Sequence, residues 1–224
     1  MHSGIYAVIQ ARTGSQRFPS KVLADICGKP MVLRVIERVR ACELPEKVIL
    51  ATTSNPEDSV LLEIAKEAGI EGFAGSQDDV LDRYYQCSKG ANTIVRVTAD
   101  CPLIDYNLIN GVLQYHFLCE NDYTSNRPSY PDGFDVEIIS SRALEKAWKE
   151  AFSLYDREHV TPYILSHTEL FKVGTFSHDY TFPQHWSVDY PEDLEFIRWV
   201  YETLGEWFTF QDLITTIEVT GGKL

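Results

Sequence analysis

Between Ala11 and Lys21 the chain reads Ala-Arg-Thr-Gly-Ser-Gln-Arg-Phe-Pro-Ser-Lys, with cations at Arg12, Arg17 and Lys21. Gly14 and small neighbours such as Ser15 leave backbone N–H groups open to close approach. Arginine adds forked hydrogen bonds and lysine a compact charge, so the loop carries the donors that phosphate groups require. It is neither a Walker A loop nor a GxGxxG fingerprint, since Gly28-Lys29 runs into Pro30. A solvated basic turn would have the same composition. Two carboxylates complement the loop. Asp100 follows the apolar run Thr93–Thr98, and Asp189 precedes Tyr190-Pro191-Glu192. Either alone reads as a helix cap. Together they are two acids on separate loops at strand ends, and Mg²⁺ is commonly held by one or two carboxylates with phosphate oxygens and water.

These residues need elements to position them. Ile5–Gln10, Lys47–Thr53 and Thr93–Thr98 are short β-rich runs with the pattern of strands buried on both faces. Pro30 opens a helix to about Cys42, and Asn55-Pro56-Glu57-Asp58 supplies the cap, first-turn proline and acids of a helix ending at Gly69. A brief strand at Gly72–Ala74, a helix over Asp78–Lys89 and another over Asp105–Cys119 complete the first half. This alternation implies a parallel sheet covered by helices, with ligands at the carboxyl ends of its strands. Beyond residue 120 the spacing predicts strands at Phe134–Ile139 and Phe171–Phe176, and helices at Arg142–Phe152, Arg157–Ser166, Pro191–Leu204 and Phe210–Ile217. The expected architecture is one α/β domain over 1–224. Its parts are a first half (1–120) of alternating strands and helices, a small inserted α+β substrate region (121–185), and a loop with C-terminal helices (186–224).

The 224 residues carry a formal charge of −13, with 44% hydrophobic and 24% charged residues. These values fit a globular chain and exclude disorder, collagen and disulfide miniproteins. Charge is segregated: residues 1–50 hold eight basic residues against four acidic, while the remainder is strongly acidic. That asymmetry suits a small polyanion near the amino end and disfavours nucleic acid. No apolar run approaches the roughly 18 residues of a membrane span, and the amino end lacks a signal peptide's basic flank. The expectation is a soluble, cytoplasmic chain. Five widely spaced cysteines with no CxxC pair read as buried reduced thiols, without disulfide or zinc. Trp148, Trp186, Trp199 and Trp207 read as core or subunit-interface residues.

The strings IQARTGSQRFPSKVL…GKPMVLRVIERV, ATTSNPEDSVLLEIAKEAGI, GSQDDVLDRYYQ, RVTADCPLID, DGFDVEIIS, REHVTPYI and SVDYPEDLEFIRWVYE occur in that order. This series resembles the bacterial cytidylyltransferases of the spore-coat polysaccharide biosynthesis type, relatives of the CMP-Kdo and CMP-sialic acid synthetases. The resemblance covers nearly the whole chain. It implies a nucleotide-diphospho-sugar transferase fold, Rossmann-like and GT-A-like, with a mixed, mostly parallel sheet flanked by helices. It also implies transfer of CMP from CTP to a sugar with release of pyrophosphate, for surface polysaccharide or glycan synthesis. Carried over by position, Ala11 and Arg12 lie toward cytosine and ribose, with Gly14, Ser15 and Thr98 also at the nucleotide. Arg17 and Lys21 hold the triphosphate, and Asp100 and Asp189 bind Mg²⁺. Arg17, Lys21 and Asp100 thus form the expected catalytic set. Phe18, Ser20 and Ala99 depart from the usual Leu, Gly and Gly; the last two add bulk where backbone meets nucleotide.

Read in that light, the acceptor is expected in the second half, at Asn126, Arg127, Asp135, Glu137, Arg157 and His159. Asp135 and Glu137 would share a strand face and suit sugar hydroxyls. Arg127, Arg157 or His159 could meet the carboxylate of a nonulosonate-like acidic sugar. Arg157-Glu158-His159 reads equally as a polar first helical turn, and His159 is not assigned to catalysis. Related synthetases suggest a homodimer. The alternatives are transfer to a sugar phosphate or phosphonate, and a non-catalytic nucleotide-sugar-binding domain. Retention of Arg12, Arg17, Lys21, Asp100 and Asp189 counts against the second.

Overall fold

In the computed structural model, which describes residues 3–178 and 184–220, Ile5–Gln10 forms strand β1 near the middle of a seven-stranded sheet. Period-two alternation sends Ile5, Ala7 and Ile9 to one face and Val8 to the other, so both faces of the strand need cover. Lys47–Thr53 (β4) pairs parallel on one side of β1, and Thr93–Thr98 (β6) on the other. Both spans match the sequence reading. Between β1 and β4 lie a short hairpin, Asp25–Ile26 (β2) with Lys29–Pro30 (β3), and helix Met31–Arg40 (α1). Periodicity had not indicated the hairpin.

A 3-10 turn at Pro56–Asp58 leads into Ser59–Glu67 (α2), then Glu71–Gly75 (β5) and Val80–Cys87 (α3). Tyr106–Leu118 (α4) follows β6 and starts at Asp105, whose side chain accepts the Asn107 N–H. The second half contributes Tyr123–Ser125 (β7), Glu137–Ser140 (β8), Ser141–Glu150 (α5), Leu154–His159 (α6), Pro162–Ser166 (α7) and Val173–Thr175 (β9). Asp193–Leu204 (α8) and Phe210–Thr220 (α9) complete the described elements. The sheet order is β5-β4-β1-β6-β8-β7-β9, with β8 antiparallel to both neighbours and every other pairing parallel.

One apolar layer packs α1, α2, α4, α8 and α9 on one face; the other packs α3, α5 and α7 on the opposite face. The chain runs outward from β1 through β4 to β5, then returns to β6 on the far side of β1. Such a reversal opens a crevice beyond the carboxyl ends of the two strands, where the Ala11–Lys21 loop and Asp100 lie. Among the described residues no helix is long and apolar enough to cross a membrane.

Several expectations require correction. The strand expected over Phe134–Ile139 is Glu137–Ser140, which leaves Asp135 in the preceding loop. The helix expected over Arg157–Ser166 breaks at Val160 into α6 and α7, so Arg157-Glu158-His159 is the last turn of a helix rather than its first. Cys27 is exposed and Cys119 half-exposed, while Cys42, Cys87 and Cys101 are buried; all five thiols are free. Trp186 is buried, but Trp207 is largely exposed.

Candidate active site

Thr13 is the hub of the first loop. Its carbonyl accepts the N–H groups of Ser15 (2.8 Å) and Ser20 (2.9 Å), which folds the loop back on itself. Its own N–H and hydroxyl both donate to Asp58 Oδ1 at 2.7 Å. Ser20 closes the loop at φ 57°, ψ 24°, a left-handed conformation that glycine adopts without a Cβ penalty. The backbone here therefore has the shape that the usual glycine would favour, and serine carries the strain. The fold brings Ala11, Arg12, Gly14, Ser15, Arg17, Lys21, Thr98, Asp100 and Asp189 around one cleft of about 620 Å³. Gln10, Gln77 and Glu158 also line it.

The two acids converge on one ammonium. Lys21 Nζ lies 2.9 Å from Asp100 Oδ2, 3.1 Å from Asp189 Oδ1 and 2.7 Å from the Val188 carbonyl. Arg17 meets Asp189 at 2.7 Å and lies over the Tyr190 ring. The loops carrying the acids are themselves joined, because the Val188 N–H donates to the Asp100 carbonyl at 2.9 Å. Asp193 then accepts the N–H groups of Asp189 and Tyr190, fixing the approach to α8. Burial pushes the Asp100 carboxyl upward, but the Lys21 charge and the Thr98 hydroxyl outweigh it and hold the group below the usual carboxylate range. Two carboxylates sharing one cation form a hard, all-oxygen donor pair suited to Mg²⁺. Among the described residues no three acidic, histidine or cysteine groups cluster as a metal site. The remaining ligands of such an ion would have to be phosphate oxygens and water.

A second cavity of about 550 Å³ adjoins this cleft, and Thr98 lines both. Its floor is the buried Arg96–Glu137 ion pair. Glu137 also accepts the Tyr123 hydroxyl at 2.6 Å and the Thr161 hydroxyl at 3.0 Å. Burial pushes the Glu137 carboxyl upward, yet Arg96 and the two hydroxyls hold it below its ordinary value. Arg127, Asp135 and His159 line the walls. Arg127 pairs with Asp132 at 2.7 Å and approaches Asp135 at 3.6 Å. Burial pushes the Asp135 carboxyl up to about 6, Arg127 opposes the rise and Asp132 adds to it.

The remaining candidates lie elsewhere. Asn126 is fully buried; its amide donates to the Phe134 carbonyl and accepts the Val136 N–H, tying down the intervening loop. Arg157 turns to Asp79 (2.9 Å) and the Trp148 carbonyl (2.7 Å). The end of α6 thus divides three ways: Arg157 toward α3, Glu158 toward the first cleft and His159 toward the second cavity. Sequence reasoning missed Asp58, Gln77, Glu158 and Arg96. Asp58 was hidden among ordinary first-turn acids, and Arg96 inside a strand where an outward-facing arginine is unremarkable.

Compared with known proteins, residues 6–208 match the family model described as cytidylyltransferase. Spore coat polysaccharide biosynthesis protein SpsF of Bacillus subtilis (strain 168) is 31% identical over 212 residues, covering 90% of this chain and 88% of the relative. A solved cytidylyltransferase from Leptospira borgpetersenii serovar Hardjo-bovis superposes with a TM-score of 0.93 at 29% identity, over 99% of this chain and 96% of the other. A CMP:2-keto-3-deoxy-manno-octonic acid synthetase complexed with CTP superposes with a TM-score of 0.69 at 19% identity, over 90% and 100%. This last likeness is one of fold. The mixed, mostly parallel sheet flanked by helices is the Rossmann-like fold of nucleotidyltransferases.

Proposed function

The chain belongs to the cytidylyltransferase family, and on that premise we propose that it transfers CMP from CTP to a sugar hydroxyl and releases pyrophosphate. The observation carrying this reading is the meeting of two cavities at Thr98. One is lined by the basic loop and the Lys21-linked acids, the other by hydroxyl, carboxylate and guanidinium groups. Arg17 and Lys21 bind the triphosphate, aided by N–H groups of the loop around Gly14 and Ser15, while Arg12 lies toward cytosine and ribose. Asp100 and Asp189 hold Mg²⁺, which when bound supplies positive charge against the phosphate oxygens. Nucleotide entry draws Arg17 and Lys21 from the carboxylates onto phosphate.

The acceptor hydroxyl attacks the α-phosphorus in line. A new oxygen–phosphorus bond forms, the bond to the bridging oxygen breaks, and pyrophosphate departs with the charge while the hydroxyl proton passes to solvent. Positioning and charge neutralisation carry most of such a transfer. Arg17 and Lys21 stabilise the leaving group. The acceptor is an acidic, nonulosonate-like sugar whose hydroxyls meet Asp135 and whose carboxylate joins the half-exposed Arg127. The exposed Phe152, Leu154 and Tyr155, the last rimming the acceptor cavity, are the surface on which a second copy would form a homodimer. The enzyme works in the cytoplasm, where CTP is made.

The test is pyrophosphate release with each of the four nucleoside triphosphates, crossed against acidic sugars, neutral sugars and sugar phosphates. Turnover with CTP and an acidic sugar is expected, dependent on Mg²⁺. Mg²⁺ and CTP together should also raise the melting temperature more than CTP alone, through linkage to the folded state. A preference for another nucleotide, or for phosphorylated acceptors, would overturn the assignment.

A further inference from the structure

The loop that lines the nucleotide cleft has little of its own to hold its shape. Two of its internal backbone bonds converge on Thr13, through Ser15 and Ser20, and another joins the Lys21 N–H to the Phe18 carbonyl at 3.2 Å. Thr13 is in turn fastened outside the loop by one residue, Asp58. The carboxylate accepts the Thr13 N–H and hydroxyl on Oδ1, and the Thr53 hydroxyl on Oδ2. Asp58 is 1% exposed and Thr13 7%, so water cannot replace these bonds when they are lost.

The carboxylate is itself firmly placed. The backbone N–H of Asp58 donates to the Asn55 carbonyl at 3.0 Å, and the Asn55 N–H donates to the Thr53 hydroxyl at 3.2 Å, closing a turn at the carboxyl end of β4. Pro56 opens the 3-10 turn that ends on Asp58. A rigid strand end thus holds an acceptor pair under the residue on which the loop folds. Arg12 and Gly14 flank that residue, and Arg17 and Lys21 follow within the same closed turn.

We propose that Asp58 is the positioning residue of the nucleotide loop: through Thr13 it fixes the backbone that presents Arg12, Arg17 and Lys21 to the nucleotide. This rests on the cytidylyltransferase reading for the identity of the ligand, whereas the tether itself is independent of any ligand. Asp58 is not among the residues lining the cleft, so its effect on nucleotide must pass through the loop.

The experiment uses Asp58→Ala, Asp58→Asn and Thr13→Val in the full chain, with two readouts. Calorimetry gives the dissociation constant for CTP with Mg²⁺, and limited trypsin digestion gives the cleavage rate after Arg12, Arg17 and Lys21. Asp58→Ala strands two buried donors on Thr13, so CTP affinity should fall at least about tenfold, and loop cleavage should accelerate by a similar factor. Cleavage after Lys146, on α5, should not change. Asp58→Asn keeps an oxygen toward Thr13 and can direct its amide to the Thr53 hydroxyl, so both readouts should stay within about threefold of the parent. Thr13→Val removes one bond of the three and should fall between them; it decides the matter if Asp58→Ala does not fold. Parental CTP affinity and loop cleavage in folded Asp58→Ala, or in Thr13→Val, would overturn the proposal. So would an Asp58→Asn as impaired as the alanine variant. A parent chain that fails to bind CTP would refute the nucleotide assignment instead, and loop cleavage would still judge the tether.

Discussion

Lys21 and Asp135 show how differently one fold treats charge at two adjoining cavities. Lys21 sits between two acids and a carbonyl, and against the push of burial its charge holds the Asp100 carboxyl below its ordinary value. Asp135 has an exposed, shared arginine and the Gly133 N–H at 3.4 Å nearby, and burial leaves its carboxyl titrating at about 6. Its folded value lies above the ordinary carboxylate value, so the folded state binds the extra proton more tightly than the unfolded chain. Stability from this group is complete at low pH and is lost as pH rises through about 6. Asp135→Asn removes the titration. We expect the variant to be more stable than the parent at pH 8 by about 1–2 kcal/mol, with the gap closing toward pH 4. Melting temperatures across that range measure it; a gap that stays constant with pH would mean that Asp135 keeps an ordinary acidity.

At the scale of elements, α3 and α6 are joined by one residue with two duties. Asp79 caps α3 by accepting the Asp82 N–H at 2.8 Å, and it also receives Arg157 of α6. Asp79→Ala should therefore cost about 2 kcal/mol, more than a cap alone. It should also weaken both acceptor turnover and CTP binding, because α6 carries His159 to the acceptor cavity and Glu158 to the nucleotide cleft; parental values of both in the folded variant would show that the Asp79–Arg157 contact does not position α6. What the sequence made legible follows the same physics. The strands β1, β4 and β6 were readable because both faces are buried, and α4 because Asp105 is a strong cap. The basic loop and Asp100 stood out because each follows a buried strand, whereas among the described residues no strand leads into Asp189, whose loop is held by the Val188 N–H on the Asp100 carbonyl and by Asp193. The loop before β8 was misread because Phe134 and Val136, although alternating like strand residues, give backbone groups to the Asn126 amide. The break between α6 and α7 sits at Val160, whose φ of 72° and ψ of −54° make a strained γ-turn bridged by the Thr161 N–H and the His159 carbonyl. The available signal was Pro162, which takes the first position of α7 and so marks the start of a new helix.

Over the whole molecule, the cleft's cations are embedded in a chain of net charge −13. Lys21 faces inward to Asp100 and Asp189, and the exposed Arg17 is paired with Asp189, so much of their field is neutralised at the cleft. A ligand must be small enough to enter and anionic enough to replace those carboxylates. A triphosphate meets both conditions. A duplex is anionic enough but too large to enter, and its phosphates would have to lie along an acidic exterior. CTP affinity should accordingly fall only several-fold, roughly three to ten times, between low salt and about 0.15 M, since few phosphate contacts are made. A fluorescent DNA duplex should show no saturable binding at the higher salt. Both can be read from anisotropy titrations. Salt-sensitive duplex binding in the same range as CTP would show that the basic amino-terminal segment projects outward, and the inward pairing of Lys21 with its two acids could not then be the state that meets ligands.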